Sequence, residues 1–219
     1  MSEVSLSHSK DERPVTLYKR GDAMRSSIIR TARDLIVTEG FEKMSVSSIA
    51  AHNGITRSLF YHYFSSKADV AEAVLDDVAN EYLGKIREWN RKRVTGNIEK
   101  ALDDIVDLLY STLDESGLFH HRLLTAGNAS LYISFMDKVA DRISHYIQET
   151  TVKDFVKHHH LAILNVRETF YMMIVGLISY IRAHPDTEPA IVKQVVVQTL
   201  HLENYLSESN SSPVGDTEP

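Results

Sequence analysis

The chain contains no cysteine. That excludes disulfides, thiolate metal sites and cysteine nucleophiles, and is compatible with a reducing cytoplasm. It also lacks an apolar run of membrane-span length. The best candidate, residues 171–181, is about half the roughly 20 residues a span needs and is bordered by Arg167, Glu168 and Arg182. Residues 1–21 are polar, without the apolar core of a signal peptide. There is no phosphate-binding glycine loop and no nucleophile elbow. Acidic residues are plentiful, but no pair stands in an apolar setting that would suit acid/base work. Neither an enzyme nor a cofactor is expected; the default is a cytoplasmic protein that makes no membrane contact.

What is present is helical pattern. Hydrophobic residues make up 43% of 219 positions, enough for a packed core, and apolar residues recur at helical spacing along most of the chain. There are no internal repeats and no convincing strand, despite the Val195-Val196-Val197 run. The net charge of −6 argues against a generic polyanion binder, but it is unevenly spread. Residues 1–67 hold ten Lys plus Arg against seven Asp plus Glu, and the remainder fourteen against twenty-three. A mildly basic end on an acidic body suits one end facing phosphates.

Residues 45–64, SVSSIAAHNGITRSLFYHYF, organise the rest. They read as a helix over 46–53 with Ser45 as N-cap, a turn at Gly54-Ile55, and a second helix over 57–64 with Thr56 as N-cap. Ser and Thr side chains accept the free N–H groups of a first helical turn, and glycine tolerates the left-handed backbone that ends a helix. Two short helices joined in this way are the sequence form of a helix-turn-helix. Val46, Ile49, Ala50, Ile55, Phe60 and Phe64 can form a small core, leaving Thr56, Arg57, Ser58, Tyr61 and His62 outward. A base, hydroxyls near the helix start, a phenol and an imidazole suit a reader of the major groove. The same pattern also fits a helical hairpin whose polar face is merely solvated.

The segment resembles the DNA-binding domain of the TetR family of transcriptional regulators. The resemblance runs over residues 22–76: an amphipathic helix ending at Glu39-Gly40-Phe41, then Ser45-Val46, Ile49-Ala50, Gly54-Ile55-Thr56, Leu59-Phe60-Tyr61-His62-Tyr63-Phe64 and Ser66-Lys67. Leu59 departs from the pattern; many relatives carry a small hydroxyl residue there, so that contact is not carried over. The resemblance implies an all-α protein with an N-terminal three-helix DNA-binding head joined to a larger helical domain for ligand binding and dimerisation. It implies repression as the usual output. Arg57 is the candidate base contact, to guanine. Thr56, Ser58, Tyr61 and Lys67 are candidate phosphate or positioning contacts, His62 either, and Ser45 a phosphate donor.

The expected organisation is a disordered leader over 1–21, the DNA-binding domain over 22–82, the regulatory domain over 83–206 and a disordered tail over 207–219. Arg13, Lys19 and Arg20 could make the leader an arm that reaches DNA. The first helix is expected over 22–39 with Asp22 as cap. A long helix opens at Ser65-Ser66-Lys67, whose free N–H groups form an anion site, and runs to about Trp89 or Arg93, with Arg91-Lys92-Arg93 at its far end complementing the helix dipole. Further helices are expected over 97–114, 118–125, 130–150, 161–183 and 187–206, the last capped by Thr187 with Pro189 in its first turn.

Two tasks fall to the body. One is self-association, since many DNA readers are two-fold dimers. Phe170, Ile174, Leu177 and Ile181 in one helix, with Val192, Val196 and Leu200 in the next, are the candidate dimer interface, two helices from each chain packing as four. The other task is sensing a small-molecule effector, with Tyr110, Leu113, Phe119, Leu124, Tyr132, Phe135, Met136, Tyr171 and Met172 as candidate pocket residues. The His158-His159-His160 run invites a metal reading, but adjacent helical residues point about 100° apart and cannot share one ion; neither it nor His120-His121 is expected to hold a metal. The expected partners are double-stranded DNA, a second copy of the chain, and an effector. The alternative is a helical protein-interaction module without sequence-specific DNA binding, and salt-sensitive binding to a palindromic duplex separates the two.

Overall fold

The computed structural model describes residues 15–115, 123 and 128–207. No strand occurs among them, and the helices are α1 (Val15–Thr38), α2 (Val46–His52), α3 (Arg57–Tyr63), α4 (Lys67–Lys92), α5 (Ile98–Glu115) and α6 (Ala129–Ile147). A π-helical turn (Gln148–Val152) then leads into α7 (Lys153–Phe155), α8 (Val166–Ala183), α9 (Pro189–Leu200) and α10 (Glu203–Ser207). Except for Leu123, which is helical and buried, the expected 118–125 helix, with Phe119, Leu124 and His120-His121, lies outside the described residues. So do residues 1–14 of the leader, including Arg13, and the tail from 208.

The first three helices close on a small core. Ile28, Ala32 and Ile36 of α1, Ile49 of α2 and Phe60 of α3 are fully buried with Val70 and Val74 of α4. Burial of one such side chain contributes roughly 1.5–3 kcal/mol. Gly40 turns the chain out of α1 at φ 88° and Gly54 turns it between α2 and α3 at φ 61°, conformations that disfavour any residue with a Cβ. Ser45 and Ser48 form a reciprocal capping box, Ser45 Oγ accepting from Ser48 N at 3.0 Å and Ser48 Oγ from Ser45 N at 3.0 Å. Thr56 Oγ1 accepts from Leu59 N at 3.1 Å, as its placement as N-cap required.

α4, 26 residues and therefore about 39 Å long, is the spine. It packs on α1 and along α6, with Tyr82 edge-on to the Phe135 ring at 5.7 Å. α6 packs on α8, and α5 on α9 and α10. One buried apolar cluster joins the first three helices through α4 to residues of α5, α6, α8 and α9, and a smaller one is formed by Val106, Ile181 and Val192.

Several boundaries differ from the sequence expectation. α1 starts at Val15, seven residues before Asp22, so Asp22 is not its cap and Lys19 and Arg20 stand on helix rather than on an extended arm. A single interior glycine, Gly21, costs only about 1 kcal/mol against alanine and does not stop a helix that a long apolar face supports. α6 ends at Ile147 and passes into the π turn. α8 begins at Val166, not Leu161; Leu164 is 94% exposed, so the apolar run that suggested helix is not a buried face. The 187–206 helix is two helices. His201 adopts φ 54°, its N–H donates to Gln198 O, and Leu202 N donates to Val197 O at 2.9 Å. This is a Schellman end, with histidine in the place glycine usually takes. Thr187 does not cap α9: the residue before Pro189 is Glu188, and the Thr187 hydroxyl donates to His184 O at 2.8 Å.

Candidate nucleic-acid interface and internal cavity

α3 is seated by its two phenylalanines. Phe60 and Phe64 point inward with ring centroids 5.9 Å apart, and Arg25 lies 5.0 Å from the Phe64 ring centre. Because the inward positions are four apart, Thr56, Arg57, Ser58, Tyr61 and His62 all fall on the exposed side. They form one polar ridge, with Leu59, 39% exposed, in its midst. The Tyr61 ring stands edge-on to Phe60, and His62 edge-on to Tyr63. Tyr61 and His62 are both exposed.

Two site residues from the sequence reading, Ser45 and Lys67, and the expected anion site are engaged within the chain. Ser45 is occupied in its capping box, its hydroxyl 3.2 Å from Ser48 Oγ. Lys67 Nζ donates to Phe41 O at 3.0 Å and Glu42 O at 3.3 Å and lies 4.4 Å from the Phe41 ring centre. It pins the turn after α1 to the first turn of α4. The anion site expected at the start of α4 already has an occupant: Asp69 Oδ2 accepts from Ser65 N at 2.8 Å and Ser65 Oγ at 3.1 Å, while Ser66 Oγ accepts from Asp69 N. The Ser66-to-Asp69 spacing is a capping signature readable in sequence.

Asn53 was not singled out from sequence, yet it ties the turn down. Its Oδ1 accepts from Ser27 Oγ on α1 at 2.8 Å and its Nδ2 donates to Ile49 O at 2.9 Å. The basic cluster at the end of α4 is also engaged. Arg91 and Lys92 pair with Glu88, whose carboxyl those hydrogen bonds pull down to about 2. Arg93 Nη2 reaches Asp154 at 2.9 Å and its Nε reaches Asn90 at 2.6 Å.

A cavity of about 350 Å³ lies among α4, α5, α6, α8 and α9. Its wall is apolar along most of its length, with Leu102, Leu109, Val139 and Ile143 from α5 and α6. At one end the polar groups gather: Arg93, Thr151, Asp154 and His158. Of the expected pocket residues, Leu113 reaches this wall. Phe135 and Met136 are core. Tyr110 donates to Thr187 O at 2.7 Å, and burial pushes its phenol up. The Tyr132 hydroxyl meets Arg182 at 3.4 Å, and the Tyr171 hydroxyl donates to Asp137 at 2.8 Å. Met172 is 64% exposed.

The expected interface residues sit on the inner side. Phe170, Ile174, Leu177, Val192, Val196 and Leu200 line the cavity, and Ile181 is buried beside Val106 and Val192. Both helices are apolar on two faces, and periodicity alone does not say which neighbour covers which face. The His run divides similarly: the His159 ring packs on Phe155 and Tyr205, each at 4.9 Å, and His160 O accepts from the Tyr205 hydroxyl at 2.9 Å.

Comparison with known proteins agrees with this arrangement. The family model described as bacterial regulatory proteins, tetR family, matches residues 28–74, which contain α2, α3 and their packing partners. TtgW of Pseudomonas putida, an uncharacterized helix-turn-helix-type transcriptional regulator, is 31% identical over 120 residues, 49% of this chain and 88% of that one. The regulator SrpR of Pseudomonas putida is also 31% identical over 120 residues, and there the match spans about half, 55%, of the relative. A Mesorhizobium loti structure described as TetR-family shares the fold at TM-score 0.62 and 13% identity, with 86% of this chain and 98% of that one covered. Helix-turn-helix, spine helix and helical body thus lie together in one fold, and the chain belongs to the TetR family, as a DNA-binding transcriptional regulator.

Proposed function

We propose that the chain is a ligand-responsive repressor that reads a palindromic operator as a homodimer. The observation that carries the reading is the exposed ridge Thr56, Arg57, Ser58, Tyr61 and His62 over a core formed by Phe60 and Phe64. Arg57 is the base contact, best suited to guanine. Thr56, Ser58, Tyr61 and His62 position the helix on phosphates, whereas Ser45 and Lys67 support the site from within. α1 to α3 with the first part of α4 act as the reading head, and the remaining helices as the regulatory part. The cavity is the effector site in this reading. The continuity of the core through α4 is the route by which its occupancy would alter the setting of the head.

The self-association face proposed is the outer strip of α8 and α9, where Met172, Tyr180, Ile191 and Val195 are 64%, 51%, 48% and 42% exposed. Selection of bound sequences from random duplexes by the full chain tests the reading. The expected product is an inverted repeat with half-sites about 34 Å apart or a multiple of that, bound with an affinity that falls steeply with salt. Enrichment of no sequence at any salt concentration would leave only a helical interaction module.

A further inference from the structure

The cavity's wall says what kind of molecule fits it. An ion pair stands at one end of it, Arg93 with Asp154. Arg93 there is nearly buried, its side chain 12% exposed, and is ion-paired to Asp154, which is 44% exposed. Asp154 has a second cation, Lys157 at 2.9 Å on the solvent side. Arg93 has no second carboxylate among its described partners: its Nε goes to Asn90, which also accepts from Thr151 at 2.9 Å. Asp154 can therefore leave Arg93 and remain neutralised by Lys157, whereas Arg93 without Asp154 needs another anion. The π-helical turn just before α7 brings Thr151, Val152 and Asp154 onto the wall, and such turns concentrate at functional sites.

We propose that the cavity takes an amphiphilic monoanion, an aliphatic or aryl body bearing one carboxylate, whose head replaces Asp154 on Arg93. The inference rests on the cavity being the effector site. A guanidinium and a carboxylate match in planar geometry, and the volume suits a small apolar body. A neutral relative with the same body would fill the wall and leave the Arg93–Asp154 pair closed. A cationic relative would meet Arg93 with like charge. Arg93 is the C-cap of α4, its N–H donating to Trp89 O at 2.9 Å. Exchanging its partner therefore loosens the tie between the far end of the spine helix and the α6–α7 segment.

Trp89 is the sole tryptophan and lines the cavity, so its emission reports occupancy. Decanoate, 1-decanol and decylamine are titrated separately into the full-length protein, with melting temperature as the second readout. Decanoate is expected to bind at least about tenfold tighter than decanol, the worth of one charge-assisted hydrogen bond. Arg93→Gln should bring decanoate down to the decanol level without changing decanol. Asp154→Asn should tighten decanoate, because the internal competitor is gone. If Arg93→Gln does not fold, the wild-type ratio and Asp154→Asn decide. Decanol or decylamine binding as tightly as decanoate overturns the anion inference and leaves the effector cavity standing. Silence from all three probes overturns both.

Discussion

Asn53 shows how much of the recognition unit rests on single polar side chains. It closes α2, receives the Ser27 hydroxyl from α1 and donates to Ile49 O. Replacing it with alanine leaves a half-buried Ser27 hydroxyl without its partner, which costs about 1–3 kcal/mol. Asn53→Ala should lower the urea midpoint accordingly without changing the slope; an unchanged midpoint would show that solvent satisfies Ser27 equally well. Arg57 carries a different kind of prediction. Arg57→Ala should weaken specific DNA binding by about 1–3 kcal/mol and relax one base position; the residue is exposed, so the fold should be unaffected. Equal losses on operator and random duplex would remove it as a base reader. Tyr61→Phe should weaken binding evenly across sequences if the phenol meets phosphate, and a mutant with wild-type affinity would take Tyr61 off the contact surface. Caps such as Ser45 and Thr56 are legible in sequence because their partners are three residues away. The Ser27–Asn53 bond and the Lys67 pin are not, because their partners lie 26 and 25–26 residues away.

At the scale of elements, helical periodicity reads where a helix has one buried face and fails where it has two. α2, α3 and α4 fall where pattern and caps put them, because each has a single apolar stripe and a hydroxyl at its start. α8 and α9 are apolar on both sides, and the residues assigned to a second copy, Ile181 apart, line the cavity within the single chain. The split at His201 was hidden because no glycine or proline marks it. The contact between α4 and α6 was equally hidden, and it is a polar clamp: Lys138 reaches Glu72 and Asp76 at 3.2 and 2.8 Å, and Arg142 reaches Asp76 at 2.5 Å. Desolvation pushes the Asp76 carboxyl up, but the hydrogen bond from Lys138 and the charges of Lys138 and Arg142 together hold it below the ordinary aspartate range. A depressed carboxyl stabilises the fold fully above its unfolded pKa of about 4 and loses that contribution as pH falls through its folded value. Asp76→Asn should therefore be less stable than wild type near pH 7, and the gap should narrow below about pH 4. Urea midpoints at the two pH values check this. A gap of the same size at both would mean that the clamp contributes through packing rather than charge.

For the whole molecule, the two-sided character of α8 and α9 becomes an advantage: the inner strip closes the cavity while the outer strip is free for a partner. Gly176 lies on that outer side between Met172 and Tyr180, and nothing stands within 4 Å of where its Cβ would be. A second helix can approach closely there. A two-fold pairing would bring α8 and α9 of each copy together as four helices, and would join the two cavities to the interface proposed to set the spacing of the reading heads. Val195 is 42% exposed, so a glutamate in its place is solvated in a monomer and the chain should still fold. In the dimer the same carboxylate would be buried without a cation, at about 3 kcal/mol or more, which weakens association at least about a hundredfold. Val195→Glu should therefore sediment as monomer at concentrations where wild type is dimeric, with unchanged helical circular dichroism. It should retain weak binding to random duplex and lose its preference for an inverted repeat, because one recognition helix covers too few bases. A Val195→Glu protein that stays dimeric and reads the full operator would move the interface away from α8 and α9, and with it the proposed link between cavity and head spacing.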